Sequence, residues 1–200
     1  MNHDPAELQG FLDQLSLAGP IEPFLVFADW LQGKGDPWGE LIAMQCASSG
    51  GDDPKQKILE LTAFRVLDSI ADELCPHDSL VGIAWQRGFV SLITVSDARG
   101  PNWLGDELAR LFSLPAVALC RDVSFVNGYL GDEHVRDLLR VRGRLATLER
   151  LNFEGNWFTA ATIRELRNAF PKAWLDRQRG SDEDRPDRGL FVKSWDERGE

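Results

Sequence analysis

The stretch from Leu148 to Phe158 constrains this chain most; it reads Leu-Glu-Arg-Leu-Asn-Phe-Glu-Gly-Asn-Trp-Phe. Apolar residues stand at Leu148, Leu151, Phe153 and Phe158, with Asn156 between the last two. Leu151 and Phe153 alternate on one side of a short strand, so both point into a core. Asn156 can turn its side-chain amide back onto the main chain where the strand stops and the chain bends. A single unit of this kind cannot bury its apolar side alone, so it needs neighbours of the same kind.

One such neighbour lies 28 residues earlier. Leu148, Leu151, Phe153, Asn156, Phe158, Ile163 and Leu166 step back onto Cys120, Val123, Phe125, Gly128, Leu130, Val135 and Leu138. A second step of 28 reaches Leu92, Val95 and Asp97, where the match blurs, although a helix still fits through Leu108 and Leu111 after a one-residue deletion. The spacing L-x-x-L-x-L-x-x-N-x-L is that of a leucine-rich repeat, and the period resembles the ribonuclease-inhibitor type. The expected units are 92–119, 120–147 and 148–175, the first degenerate, with helices near 104–112, 132–141 and 160–170. Residues 172–176 read as a last, incomplete strand. Residues 177–189 read as a charged loop, and Leu190–Trp195 as an apolar run able to fold back over the open end.

The first half reads as helices. Asp4 and Pro5 open one, with Glu7 placed for a capping box and Leu8, Phe11, Leu12 and Leu15 as its apolar face, ending at Gly19-Pro20. A second runs from about Pro23 to Gln32, burying Phe24, Phe27, Ala28 and Leu31. A third starts at Asp36-Pro37 and reaches about Ala47, with Glu40 in its first turn. Residues 48–54 read as a loop and 55–74 as a longer helix. At Trp85–Val90 the period changes to that of a strand.

Leu25–Leu31 followed by Gly35–Gln45 resembles the bacterial repeat-companion domain, a small N-terminal module that precedes leucine-rich repeats. The family reads A-D-W-L, a short turn, then G-D-P-x-G-E-[FL]-I-x-x-Q. This chain matches at Ala28, Asp29, Trp30, Leu31, Gly35, Asp36, Pro37, Gly39, Glu40, Leu41, Ile42 and Gln45. It departs at Gln32-Gly33-Lys34, where acidic residues are usual. Trp85, Gly88 and Phe89 resemble the family's W-x-x-G-F element at the junction. The resemblance covers roughly residues 8 to 175 and implies an architecture without an activity. The expected fold is α/β: a helical companion domain over 1–84 capping a short repeat solenoid over 85–176, with a parallel sheet on its concave side. A charged loop and capping segment follow over 177–200.

The formal net charge of -10 and a pI near 4.8 disfavour phosphate backbones and anionic lipid surfaces, so neither nucleic acid nor membrane is expected as partner. No run of 18 apolar residues occurs and the N-terminus lacks the features of a signal peptide, which places the chain in the cytoplasm. Cys46, Cys75 and Cys120 read as free thiols of a reducing compartment.

Asp29, Asp36 and Glu40 form a carboxylate corner, but the last two stand where they cap or complement a helix, so scaffold work is favoured over catalysis or cation binding. Cys75 and His77 lack a second pair at zinc spacing. His3 falls near a loose terminus and His134 on a helix surface. No G-x-S-x-G, P-loop or G-x-G-x-x-G is present. Trp30, Trp38, Trp85, Trp103 and Trp174 read as core or junction packing. No catalytic residue, metal or cofactor is therefore assigned. The residues flanking the buried strand positions remain: Thr94, Ser96, Asp122, Ser124, Val126, Arg150, Asn152 and Glu154. Curved stacks bind through such positions. Trp157 either stands at their rim as a hot spot or packs on Trp174 and the C-terminal segment. The expected function is non-enzymatic: a protein–protein interaction module, adaptor or complex subunit. The alternative is an acidic inhibitor or immunity-type protein that neutralises a basic enzyme.

Overall fold

The computed structural model describes residues 3–47, 81–96 and 103–179. The loop expected over 48–54, the helix over 55–74, Cys75, His77 and the run 190–195 lie outside them.

Helix α1 spans Pro5–Leu12. Asp4 caps it by accepting from the Ala6 and Glu7 amides (2.8 and 3.4 Å). The expected capping box is not completed, because the Glu7 carboxylate reaches away to the Trp30 indole N–H (2.7 Å) and the Lys34 ammonium (3.2 Å). Those two donors hold its pKa below the usual carboxylate value. The helix ends earlier than the apolar spacing predicts: Gln14 and Leu15 bond back three residues, to Phe11 and Leu12, and Leu15 enters the core from a turn.

Helix α2 (Glu22–Gly33) buries Phe24, Phe27, Ala28 and Leu31, the face that the spacing predicts. Helix α3 (Pro37–Ala47) starts where Asp36 accepts from the Trp38 amide (2.9 Å). The two helices touch at Gly39. A Cβ there would lie 2.5 Å from the Ala28 carbonyl oxygen and 2.8 Å from Leu31 Cβ, so only glycine permits this approach. Phe27, Trp38 and Phe89 meet edge-on, with ring centres 5.3 and 5.0 Å apart for the successive pairs.

Strands β1 (Val81–Gln86) and β2 (Phe89–Val95) form an antiparallel hairpin. Its two-residue turn, Arg87-Gly88, has φ of 54° and 80°, the left-handed pair that a tight hairpin requires. β1 runs across the division expected between residues 84 and 85. β2 then pairs in parallel with β3 (Asp122–Ser124), and β3 with β4 (Arg150–Asn152), giving the sheet order β1-β2-β3-β4. The sheet is therefore mixed, not wholly parallel as expected. A further parallel bridge joins Asn152 to Trp174.

The register corrects the sequence arithmetic. Asp122 lies 28 residues before its partner Arg150, as the spacing predicts. It lies 30, not 28, after its partner Leu92. At 30, Cys120, Val123 and Phe125 fall on Val90, Ile93 and Val95, and Leu138 and Val141 fall on Leu108 and Leu111; all ten are buried. The blurred match was a phase error of two residues.

Helices α4 (Trp103–Ser113), α5 (Val135–Arg140), α6 (Arg142–Leu145) and α7 (Ala160–Ala169) supply the other half of this core. Leu104, Leu108, Leu138, Leu145 and Leu166 from them pack with Ile93, Val123, Leu151 and Phe153 from the strands. Phe125 and Phe153 stack at 5.0 Å with planes 9° apart. Asn156, fully buried, donates to the Phe153 carbonyl of its own unit (2.8 Å) and the Phe125 carbonyl of the previous one (2.7 Å). Its Oδ1 accepts from the Leu130 amide (3.0 Å). One side chain thus satisfies three buried main-chain groups, two of them across a unit boundary. Contrary to the sequence expectation, His134 is fully buried and its Nδ1 accepts from the Gly131 amide (3.0 Å).

Asp132 receives the Thr159 amide (3.0 Å) and hydroxyl (2.8 Å) at the start of α7. Partial burial pushes its pKa up, but the hydrogen bonds from Thr159 and Thr162 outweigh this and hold it below the usual carboxylate value.

Two measurements test this account. Gly39→Ala should destabilise by about 1–3 kcal/mol in urea denaturation. Gly33→Ala, with nothing near its Cβ, should be neutral or stabilising. Equal effects would refute the close crossing. Because the folded pKa of Asp132 is depressed, its stabilisation is complete above the unfolded value of about 3.9 and is lost as pH falls through the folded value. The stability difference between wild type and Asp132→Asn should therefore be constant near neutrality and narrow below about pH 4.

Candidate partner-binding face

Alternation along β2, β3 and β4 sends Ile93, Val123 and Leu151 towards the helices and the residues between them to the opposite, open face. Pairing aligns that face in two rows. One contains Ala84, Leu92, Asp122 and Arg150; the other contains Gly82, Thr94, Ser124, Asn152 and Trp174. The two-residue change of register matters here: Thr94 stands beside Ser124, not beside Asp122, and Leu92 joins the face. Ser96, Val126 and Glu154 continue the alternation past the strand ends.

Much of this polar surface is already engaged with itself. Arg150 grips both carboxylate oxygens of Asp122 on the neighbouring strand, one bond being 2.9 Å. Asp122 in turn raises the Arg150 pKa. Arg121 and Glu149 pair at the strand starts. Asn152 Oδ1 accepts from the Glu154 amide (2.8 Å), and Ser124 Oγ from the Val126 amide (3.5 Å). The eight candidates, seven of them polar, thus share one side of the sheet, and six of them are linked by cross-strand and turn contacts.

Trp157 does not belong to it. The residue is 7% exposed: its amide donates to the Leu130 carbonyl (2.8 Å), and the Arg179 guanidinium lies over its ring. It is held under the strand ends, so the rim position is ruled out. Among the described residues the exposed tryptophan is Trp174, at 57%, contrary to the packing role expected from the sequence. Residue 174 continues the row of Asn152, because its amide donates to the Leu151 carbonyl and its carbonyl accepts from the Phe153 amide. The signal was available: Trp174 alternates with Ala173 and Leu175 as Asn152 does with Leu151 and Phe153.

The chemistry weighed elsewhere is placed as follows. Asp36 is occupied by the Trp38 amide and by His3 Nε2 (2.6 Å), and His3 also lies against Trp30. Asp29 and Glu40 are exposed. Among the described residues no group of three or more His, Cys, Asp or Glu side chains is arranged to hold a metal ion. Cys46 and Cys120 are free; burial pushes the Cys120 thiol up to about 11 and raises that of Cys46. No helix among the described residues is long and apolar enough to cross a membrane. Comparison with known protein families, with curated proteins and with solved structures finds no match to this chain.

The exchange of tryptophans is open to measurement. Trp174→Phe should remove most of the acrylamide-accessible fluorescence contributed by these two residues, whereas Trp157→Phe should leave quenching unchanged. The reverse pattern would refute the assignment of the open face.

Proposed function

We propose that this chain is a non-enzymatic protein-binding module: a repeat-companion domain joined to short leucine-rich repeats, acting as an adaptor or complex subunit. The partner, a protein, is read by Arg150, Asn152, Ser124, Thr94 and Trp174 on the open sheet face. The observation that carries this reading is Trp174, a large aromatic side chain left mostly exposed on a rigid sheet beside Asn152. An exposed tryptophan flanked by polar groups is the composition of an interface hot spot and its rim. The 28-residue pairing of β3 with β4 and the cross-unit hydrogen bonds of Asn156 support the repeat reading. The fit of Gly39, Gln45 and Gly88 to the helix–hairpin junction supports the companion-domain reading.

The net charge of -10 keeps the second reading, an inhibitor of a basic enzyme, in view. Salt separates the two. An electrostatically steered inhibitor associates much more slowly at high ionic strength, whereas binding anchored on Trp174 is mostly retained. The test compares partners captured by wild type, by Trp174→Ala/Asn152→Ala and by Val26→Ser on the exposed side of α2. A partner kept by Val26→Ser and weakened at least tenfold by the double variant is the expected result. Equal capture by all three would sink the open-face reading.

A further inference from the structure

Two surfaces of this chain complement each other. The first is the outer side of α2. At about 100° per residue, Ile21, Glu22, Leu25, Val26 and Asp29 fall within one arc of about 140°, opposite the buried Phe24, Phe27, Ala28 and Leu31. All five are exposed. Ile21, Leu25 and Val26 are, with Trp174, the large apolar residues left exposed among the described ones; three of them on one helix face form a patch and not a scatter. The second surface is a groove of about 600 Å³ past the last rung of the sheet, between α7 and residues 175–178. Ile163 and Leu175 form its floor, and Arg164, Arg167 and Arg177 line its walls. Arg167 pairs with Asp176 (3.1 Å), and Arg164 and Arg177 are exposed. Gln178 Nε2 holds one wall in place by donating to the Phe153 and Leu175 carbonyls (2.9 and 3.0 Å).

We propose that this groove receives the outer face of α2 from a second copy of the chain, in a head-to-tail contact. The lengths agree: Glu22 and Asp29 are seven residues apart on α2, as are Ala160 and Arg167 at the ends of the α7 stripe, about 10 Å in each case. The charges agree as well. The arc carries Glu22 and Asp29, whereas the groove sets three arginines against Asp176. The same imbalance runs through the chain. Residues 3–47 hold seven carboxylates and one lysine, while residues 103–179 hold twelve Lys and Arg against ten Asp and Glu. A helix with an apolar and charged face, laid into an apolar groove with walls of opposite charge, is a recurrent docking mode. Within one molecule β3 and β4 stand between the two surfaces, because β2, joined to the helical layer through Phe89, is three strand spacings, about 14 Å, from the Trp174 rung. The two patches differ, so the contact is heterologous and continues from copy to copy or closes as a ring. At a net charge of -10 the copies repel one another as wholes, and the local match sets the orientation in which they meet. None of these residues reads the partner on the open sheet face, so the two proposals stand or fall separately.

The test is sedimentation velocity on the full chain. One helix face in one groove is a small contact, so the range to cover is roughly 0.01 to 1 mM. Across it the weight-average mass of wild type should at least double at about 0.1 M salt. Most of that rise should be lost at about 1 M, where the screening length is about 3 Å. Glu22→Arg/Asp29→Arg and Arg164→Glu/Arg177→Glu each give the two surfaces like charge, and each should stay monomeric alone. Mixed in equal amounts, they restore opposite charge at every contact and should associate as wild type does. The four positions are exposed, and recovery in the mixture shows that both variants are folded; an unchanged urea midpoint checks this independently. A wild type that stays monomeric throughout would overturn the proposal. So would association that either double variant keeps alone, or a mixture of two folded variants that stays monomeric while wild type associates, because the contact then lies elsewhere.

Discussion

The structure depends most on how one peptide, that of Gly88, is held. Its carbonyl accepts from the Trp38 indole (2.6 Å) and its amide donates to Gln45 Oε1 (2.6 Å), while Ile42 lies against its α-carbon. A Cβ at Gly88 would sit 2.3 Å from Ile42 Cγ1, and its φ of 80° is disfavoured for other residues. Both polar groups of a hairpin tip are thereby satisfied by side chains that stand two helical turns apart on α3. Arg87, the other turn residue, donates to the Gly19 carbonyl (2.7 Å) and lies over Phe24. The hairpin tip is thus clamped into the helical layer. Phe89, the residue that follows, is counted in the helical core, and Val90, the next, in the sheet core, with Trp85 packed against both. The boundary between the layers is one residue wide, so neither is expected to keep its packing without the other.

From that anchored strand the sheet continues through two parallel neighbours. Each parallel neighbour adds a buried trio, a polar outward pair and a helix, and Asn156 ties the last two units through their carbonyls. Where Asn156 would recur one unit earlier the chain has Gly128, whose amide bonds to Phe125 directly. The turn is kept while the cross-unit bonds are not. Repeat stacks are stabilised by neighbour interfaces; in the proposed repeat reading β2, with an antiparallel strand in place of a parallel neighbour, draws on the clamp at Gly88.

The three helices between residues 5 and 47 and the 28-residue step from β3 to β4 were legible in the sequence because both are local. Apolar spacing names a buried face, and the face of α2 is the one predicted. What escaped was set by distant partners. The phase of β2 depends on two residues between units that no spacing rule counts. Glu7 left its capping role because Trp30 and Lys34, more than 20 residues away, offered better partners. His134 reads as a helix-surface residue in the sequence, yet the Gly131 amide gives it a buried acceptor role. The two readings of Trp157, rim or packing, stayed open for a related reason: the guanidinium over its ring belongs to Arg179, and sequence alone does not place Arg179 there.

The same geometry limits how the open face can recognise anything. Asp122 and Arg150 already neutralise each other, and a partner that covers them removes water from a bidentate contact without supplying a better one. Exposed pairs of this kind contribute about 0–1 kcal/mol to stability, so they set orientation more than affinity. In the proposed binding reading, affinity would come from apolar area, and on this face that means Trp174 with the stem of Arg150 and half-buried Leu92. A tryptophan buries on the order of 150–250 Å². At about 25 cal/mol per Å², it contributes more than any polar group beside it. In the proposed binding reading, strength is concentrated at the last rung of the sheet, and discrimination is spread along the Asp122–Arg150 and Ser124–Asn152 rows. Any change that shifts the last rung, including what lies along its outer edge, acts on affinity first and on specificity second.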